Sequence, residues 1–303
     1  MRLLLNSFDD PHENLAFEEQ YFKSFDQDTL RLWINPKSVV CGKHQIALKE
    51  CNIYYCDQRS IPVIRRLSGG GTVFHDPGNI NFSFFKKLNA GNEIDYTKNL
   101  KVITSALNQL GFKVSISPRH DLFLNEFKVS GNAQHVSKGK ALHHGTLLYD
   151  AKIKEMSPAI KRRSGTFTDK SVPSVRSKVM NLRDAKDVGN SSEFLRILAG
   201  ALSKSMEIDS SRYHVDKALL DKYRKDEWNF GYGPKYVFKN ELSDAEFSLT
   251  VDRGGLITGI NSNSESIRND LSRLIGMMHT PSEVLKELRK YRILTVDLEK
   301  YLF

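Results

Sequence analysis

The residues best equipped for chemistry lie in one stretch, Arg65-Arg66-Leu67-Ser68-Gly69-Gly70-Gly71-Thr72-Val73-Phe74-His75-Asp76, which continues through Pro77-Gly78-Asn79-Ile80-Asn81-Phe82-Ser83. Consecutive glycines permit positive φ and close backbone approach, so successive N–H groups can converge on an anion. Two arginines at the entrance add planar donors suited to carboxylate or phosphate. The chemistry to expect is the holding of something acidic. Glycines alone would make only a turn, but Arg-Arg, Ser and His-Asp around them make the stretch a candidate site. It is neither a dinucleotide fingerprint nor a P-loop: no helix-opening GxGxxG and no Gly-Lys-Ser or Gly-Lys-Thr follows. A second candidate is Lys128, in Lys128-Val129-Ser130-Gly131-Asn132-Ala133. A lysine in a strand is ordinarily a surface residue with its stem laid along apolar neighbours. The same ammonium, held fixed, would offset negative charge that develops beside it.

The glycine stretch resembles the RRxSGGGxVxHDxGNxNxS signature of lipoate–protein ligases. Lys128-Val129-Ser130-Gly131-x-Ala133 is similar to that family's lysine motif, and Ser174-Val175-Arg176-Ser177-Lys178-Val179-Met180-Asn181-Leu182 to its SVxSxVxNL adenylate-loop motif. Asn14-Leu15-Ala16-x-Glu18-Glu19 and Lys43-His44-Gln45 also resemble family elements, with His44 standing where Asn is usual. The resemblance covers nearly the whole chain. It implies an ATP-dependent ligase that activates free lipoate to lipoyl-AMP and transfers the lipoyl group to a lysine of an acceptor domain.

The resemblance also implies roles. Lys128 would be catalytic, lying between the acyl carbonyl and the α-phosphate. Lipoate and ATP would be bound by Arg66, Ser68, Gly69, Gly70, Gly71, Thr72, Val73, Phe74, His75 and Asn79, and by Ser130, Gly131, Ala133, His144, Gly145 and Arg176 beside Lys128. His75 and Asp76 would brace the turn, with His75 also able to reach the intermediate. Asp121 is read as a Mg²⁺ ligand or a lysine-orienting carboxylate, with a capping role equally open. ATP chemistry implies Mg²⁺, which needs few protein carboxylates. The implied partners are acidic apo-lipoyl domains of 2-oxoacid dehydrogenases and the glycine cleavage H protein. The alternative on this fold is a lipoyl or octanoyl transferase that uses a pre-activated donor without adenylation of its own. Related octanoyltransferases carry the acyl group on a cysteine. One branch has it just before the His-Gly pair, where this chain has Ala141 and Leu142, and no cysteine follows Cys56. A non-catalytic binding protein on the same scaffold is a third reading, against which the intact Lys128 and glycine loop count.

These residues need elements to position them. Apolar runs at Ile61–Ile64 and Thr72–Phe74 predict strands on either side of the glycine loop. Asp10-Pro11 opens a packing helix reaching about Phe25. Further strands are expected at 3–8, 30–34 and 39–42, and a helix over 96–110 with Gly111 after its last turn. Strands follow at 113–117, 121–124, 126–133 and 140–149, the last two joined by a hairpin turn, and a helix over 191–206. Residues 160–178 carry Lys161, Arg162, Arg163, Lys170, Arg176 and Lys178 against Asp169 alone, and read as a mobile, solvated loop of the kind from which lids are drawn. The aromatic, Gly/Pro-rich run 226–236 reads as a linker. A hairpin around Asp252-Arg253-Gly254-Gly255 and helices near 265–275 and 281–291 would complete a small second domain. The expected fold is α+β, with mixed, mostly antiparallel sheets flanked by helices, a catalytic domain over 1–228 and an accessory domain over 229–303.

The chain has 303 residues, 40% hydrophobic and 27% charged, and a net charge of +9. That favours an acidic partner. No RNP-like, KH or helix-turn-helix motif points to nucleic acid, and no run approaches transmembrane length. Cys41, Cys51 and Cys56 form no paired framework and suggest reduced thiols. The expectation is a cytoplasmic monomer acting on neither nucleic acid nor membrane.

Overall fold

The computed structural model describes residues 1–88, 95–160, 165–171, 173–175, 177–209, 211–242, 244–290 and 301–303. In chain order the first elements are β1 (Arg2–Leu5), α1 (Pro11–Ser24), β2 (Thr29–Ile34), β3 (Ser38–Cys41), α2 (Ala47–Glu50), α3 (Ile53–Asp57), β4 (Val63–Arg65), β5 (Val73–His75) and β6 (Asn79–Lys87). Then come α4 (Tyr96–Gln109), β7 (Val114–Ile116), β8 (Leu122–Leu124), β9 (Phe127–Ser130), β10 (Asn132–Ser137), β11 (Lys140–Leu148), α5 (Ile153–Ala159) and β12 (Thr166–Asp169). The rest are α6 (Leu182–Ala185), α7 (Ser191–Ser203), β13 (Glu207–Asp209), α8 (Lys217–Arg224), β14 (Tyr236–Leu242), β15 (Ala245–Val251), β16 (Ile257–Ser262), α9 (Glu265–Ser272) and α10 (Pro281–Lys290).

The fold is α+β. Its main sheet has the order β10-β11-β6-β2-β1-β13. β10, β11, β6 and β2 pair antiparallel, and β1 joins both β2 and β13 in parallel. Strand alternation sorts the side chains onto two faces. Leu30, Leu32, Ile80, Phe82 and Phe84 face one core with Leu100, Ile103 and Leu107 of α4 and Phe194 and Leu198 of α7. Each large side chain fully buried in this way contributes roughly 1.5–3 kcal/mol. The opposite face is mixed. It carries Arg31 and Trp33 of β2, Asn81, Ser83 and Phe85 of β6, and Leu142, His144 and Thr146 of β11, by the register Arg31↔Ser83↔His144. Helix α1 covers it, capped by Asp10, whose carboxylate accepts the His12 N–H, and with Pro11 in its first turn.

The strands flanking the glycine loop do not pair with each other. Both lie against β3, in the order β4-β3-β5, β4 parallel and β5 antiparallel. The loop therefore crosses over the end of β3. The expected strand over 126–133 is broken at Gly131: β9 belongs to a small sheet with β7 and β8, and β10 enters the main sheet. Lys128 thus stands on a short strand, with Gly131 as the corner.

Two readings from composition are corrected. In the run 160–178, taken as a solvated loop, residues Thr166–Asp169 form β12, which pairs antiparallel with β14 in a sheet ordered β12-β14-β15-β16. Residues 226–236, taken as a linker, are packed against β4. A π-helical turn, Glu227–Gly231, carries Trp228 and Asn229, whose carbonyls accept from the buried Arg65 guanidinium at 2.9 and 2.8 Å. Trp228 Nε1 donates to Arg65 O, and Asn229 Oδ1 accepts the Arg65 N–H. Arg65 also donates to the carbonyls of Gly42, Lys43 and Gln45. Its fixed fork is a structural clamp, so the carbonyls it meets decide its role. Among the described residues, no helix is long and apolar enough to cross a membrane.

Candidate active site

Lys128 sits where two cavities meet. One, of about 280 Å³, runs between α1 and the mixed sheet face, from Leu15, Trp33 and Val40 to Arg119, Asp121 and Lys128. The other, of about 470 Å³, is lined by Lys49, Glu50, Phe74, Ser130, Leu148, Met156 and Ile160. Thr72, Val73, Lys128, Gly131, Thr146, Ser174 and Val175 belong to both walls. Lys128 Nζ lies 2.9 Å from Asp121 Oδ1, both side chains partly exposed. Strand β9 is fixed by the Lys128 N–H to Lys178 O bond and the Met180 N–H to Lys128 O bond, at 2.9 and 3.3 Å. The adenylate-like motif therefore runs alongside the lysine.

The glycine loop is held from behind. Arg66 is buried and donates through Nε to Ser68 Oγ (3.0 Å), through Nη1 to Val40 O (3.1 Å), and through Nη2 to Gly69 O and Gly71 O (2.6 and 2.8 Å). Burial lowers its pKa to about 10, so it stays charged at neutral pH. With these donors turned onto the loop, Arg66 mainly sets the loop's shape. Gly70 has φ +82, and a Cβ there would lie 3.0 Å from Arg66 Nη2. A Cβ on Gly42 would lie 2.0 Å from Gly70 O. Both positions need glycine.

Behind the loop runs a polar relay. Arg66 donates to Ser68, and Ser68 Oγ lies 2.6 Å from His144 Nε2. His144 Nδ1 lies 2.9 Å from Glu18 Oε2. Glu18 also accepts from Ser83 Oγ (2.6 Å), which accepts from Trp33 Nε1 (3.0 Å). Burial alone would raise the Glu18 pKa. The pull of His144 and the hydrogen bonds of His144 and Ser83 outweigh it and hold the pKa below the ordinary value. Serine, histidine and glutamate stand in the order of a hydrolase triad. Ser68 is fully buried and lines neither cavity, so the set is a brace and not a nucleophile.

A second clasp ties the 173–175 segment to the loop. Ser174 Oγ accepts the Thr72 N–H at 2.9 Å and a Gln45 Nε2–H at 3.1 Å, and donates to Glu50 Oε2. Gln45 Oε1 accepts from the Gly42 N–H and from Thr72 Oγ1, both at 2.9 Å.

Of the residues singled out in the sequence, Arg66, Gly70, Gly71, Thr72, Val73, His75, Gly131, Ala133, His144 and Gly145 line the first cavity with Lys128, and Phe74 and Ser130 the second. Ser68 and Gly69 support from behind. Asn79 lies off both cavities, its Nδ2 bonded to Asn81 Oδ1. Burial, then repulsion from Arg66, lowers the His75 pKa to about 3, and its Nδ1 meets Asn35 Nδ2 at 3.0 Å. Asp76 accepts the N–H groups of Gly78 and Lys152, which fixes the turn after β5. Arg176 lies outside the described residues. Sequence reasoning missed Leu15, Trp33, Asn81, Arg119, Thr146 and Ser174. Those on strands reach the cavity through register between distant segments; Leu15, Asn81 and Ser174 carried a signal, each lying within a family-like motif of the sequence.

Among the described residues Asp121 is the only carboxylate lining the first cavity, and it is engaged by Lys128. Among the described residues no group of three His, Cys, Asp or Glu side chains could hold a metal. The donors fit only a hard cation that keeps most of its oxygens from a phosphate and water. Chemically, the arrangement offers an apolar slot ending at a cation, a loop of backbone amides, and a second chamber across that cation.

Comparison with known proteins agrees. Residues 10–202 match the family model "Lipoyl protein ligase A/B catalytic domain". The chain is 30% identical over 303 residues to lipoate–protein ligase 1 of Staphylococcus aureus, covering 94% of this chain and 92% of that one. It also resembles the solved structure of a bi-partite lipoate protein ligase and its E2 lipoyl domain from Thermoplasma acidophilum (TM-score 0.63, 26% identity, 76% of this chain and 96% of that one). A structure of lipoate–protein ligase A bound with ATP is similar as well (TM-score 0.61, 27% identity, 76% and 98%). A match of that extent, on a chain whose cation stands between two such chambers, means that the protein belongs to the lipoyl protein ligase A/B family.

Proposed function

We propose that this chain is an ATP-dependent lipoate–protein ligase, and that its residues act as follows. The observation that carries the reading is Lys128 at the seam of the apolar slot and the second chamber. Lipoate enters the slot with its carboxylate toward Lys128, and ATP takes the adjoining chamber. A carboxylate oxygen attacks the α-phosphorus, the α–β P–O bond breaks, and pyrophosphate leaves. The Lys128 ammonium offsets the repulsion between two anions and the charge of the five-coordinate transition state. The amides of Gly71 and its neighbours form a nest for the acyl phosphate, held in shape by Arg66. Asp121 orients Lys128, and Mg²⁺ would arrive with the triphosphate, which supplies most of its ligands. In the second step a lysine ε-amine attacks the carbonyl carbon of lipoyl-AMP. The C–O bond to AMP breaks, AMP leaves as its phosphate anion, and the proton the amine loses on forming the amide passes to solvent. Lys128 polarises that carbonyl too.

The acceptors are lipoyl domains: the relative from Thermoplasma acidophilum was solved with its E2 lipoyl domain. We extend this to 2-oxoacid dehydrogenase subunits and the glycine cleavage H protein, with the ligase acting as a cytoplasmic monomer. Residues 1–228 form the catalytic domain and 229–303 the accessory domain, whose sheet takes β12 from the catalytic segment. Transfer from a pre-activated donor through a thioester is disfavoured, because Cys41, Cys51 and Cys56 are all buried. The test is mass spectrometry of an apo-lipoyl domain after incubation with the protein, Mg-ATP and lipoate. An ATP-dependent lipoyl adduct supports the reading. An adduct only when lipoyl-AMP is supplied means a transferase without activation.

A further inference from the structure

The main sheet ends at β10, and among the described residues no strand pairs with its outer side. The bond from the Leu88 N–H to Gly139 O sets the register in which β11 meets β6. It follows from antiparallel alternation that Ala141, His143 and Gly145 turn their backbone groups toward β6. Their partners across the β10–β11 hairpin, Val136, Gln134 and Asn132, therefore turn their N–H and C=O groups out of the sheet. Among the described residues these outward groups have no backbone partner. Natural edge strands are usually blunted by lysine, proline or a bulge. Asn132–Ser137 has neither lysine nor proline, its register is unbroken, and Val136 is 54% exposed.

The edge is also rigid and close to the chemistry. Lys138 and Gly139, both at positive φ, close the hairpin as a tight two-residue turn. Lys140 Nζ donates to Lys23 O and Phe25 O at the end of α1, which pins the hairpin. Asn132 and Ala133 line the cavity that holds Lys128. At about 3.3 Å per residue, a strand laid beside Val136 passes Ala133 roughly 10 Å further on. The flanks carry cations: the exposed Lys138 lies at the turn, and Lys43 acts electrostatically on His135, opposed by Glu19.

We infer that β10 is the docking edge for the acceptor domain, which adds an acidic, extended segment next to its target lysine as a further antiparallel or parallel strand. This rests on the ligase reading. Main-chain bonds to Gln134 and Val136 supply registry, the flanking cations select carboxylates, and the strand's direction delivers the amine to the mouth beside Lys128.

The experiment separates the two steps. Adenylate formation is read as pyrophosphate release without acceptor, and transfer as the dependence of rate on apo-lipoyl domain with preformed lipoyl-AMP. Val136→Pro deletes one outward N–H and leaves the β11 ladder intact. Its adenylation should stay within twofold of the unaltered chain while its KM for the acceptor rises at least tenfold; Val136→Thr should behave as the unaltered chain. An unchanged acceptor KM in Val136→Pro overturns the proposal. If that variant also adenylates poorly, Val136→Glu decides: a raised acceptor KM with intact adenylation supports the edge, and an unchanged one overturns it. Should the unaltered chain make no lipoyl-AMP, the ligase reading falls, and the acceptor KM measured with preformed lipoyl-AMP still decides the edge.

Discussion

Lys128 and Asp121 form a pair whose two members can be tested apart. If Lys128 carries the transition-state charge, Lys128→Ala lowers adenylate formation by about 10²–10³-fold, with circular dichroism and melting unchanged. Asp121 faces two roles, metal ligand or lysine orienter, and its 2.9 Å contact with Nζ favours the second. Asp121→Asn should then lower kcat at saturating Mg²⁺ and leave the Mg²⁺ dependence in place; a large rise in the Mg²⁺ needed would restore the metal role. Arg66 makes a different prediction. Because its bonds go to Val40, Gly69 and Gly71, Arg66→Lys cannot reproduce the fork. That variant leaves buried carbonyls unpaired and should cost on the order of 3 kcal/mol in chemical unfolding. An Arg66→Lys variant as stable as the parent would show that the guanidinium is not what holds the loop. The presence of both arginines was legible in the sequence, but their division of labour was not. Arg65 and Arg66 are adjacent and chemically identical, and only the carbonyls that surround each one make the first a clamp on 228–229 and the second a frame for the glycines.

Among the elements, the glycine loop and β9 were readable because their chemistry is local: turn residues, a lysine and a run of alternating strand residues. The 173–175 segment and β12 were harder. Composition made 160–178 look uniformly solvated, yet β12 is specified by β14, some seventy residues on, through the register Thr166↔Lys239. The mixed sheet face was hidden for the same reason. Trp33 and Asn81 sit opposite each other only once β2 and β6 are in register. This connectivity gives Ser174 a specific task, since its hydroxyl joins Glu50, Gln45 and the Thr72 amide. Ser174→Ala should leave the fold stable, and loosen the wall shared by the two cavities. The expected result is a five- to tenfold rise in KM for ATP with kcat less affected. Equal losses in kcat and kcat/KM would instead place Ser174 in the transition state.

At the scale of the whole molecule, the polar groups buried around the site make folding sensitive to acid. His75 and His143 are held neutral in the folded protein, with pKa lowered to about 3 chiefly by burial. The unfolded chain returns each to about 6.5. Between those values the unfolded state binds protons that the folded state refuses, so stability rises with pH across this window and falls on acidification. The slope is about 1.4 kcal/mol per pH unit for each histidine. Glu18 adds to the loss lower down: its folded pKa is depressed, so its contribution is present above the ordinary glutamate value near 4.3 and disappears as pH falls through the folded value. His75 and His143 therefore both cost stability as pH falls from about 6.5 to 5, and His135, whose pKa burial also lowers, acts in the same sense. His143 bridges Asn99 and Asn132 through its two ring nitrogens, each at 3.2 Å, and contacts no substrate cavity, so it can be changed without touching the chemistry directly. Between pH 6.5 and pH 5, His143→Gln should lose about 1.6 kcal/mol less stability to urea than the parent, whatever its absolute stability. An identical pH slope would mean that His143 is protonated in the folded state, and that the acid sensitivity of this core resides elsewhere.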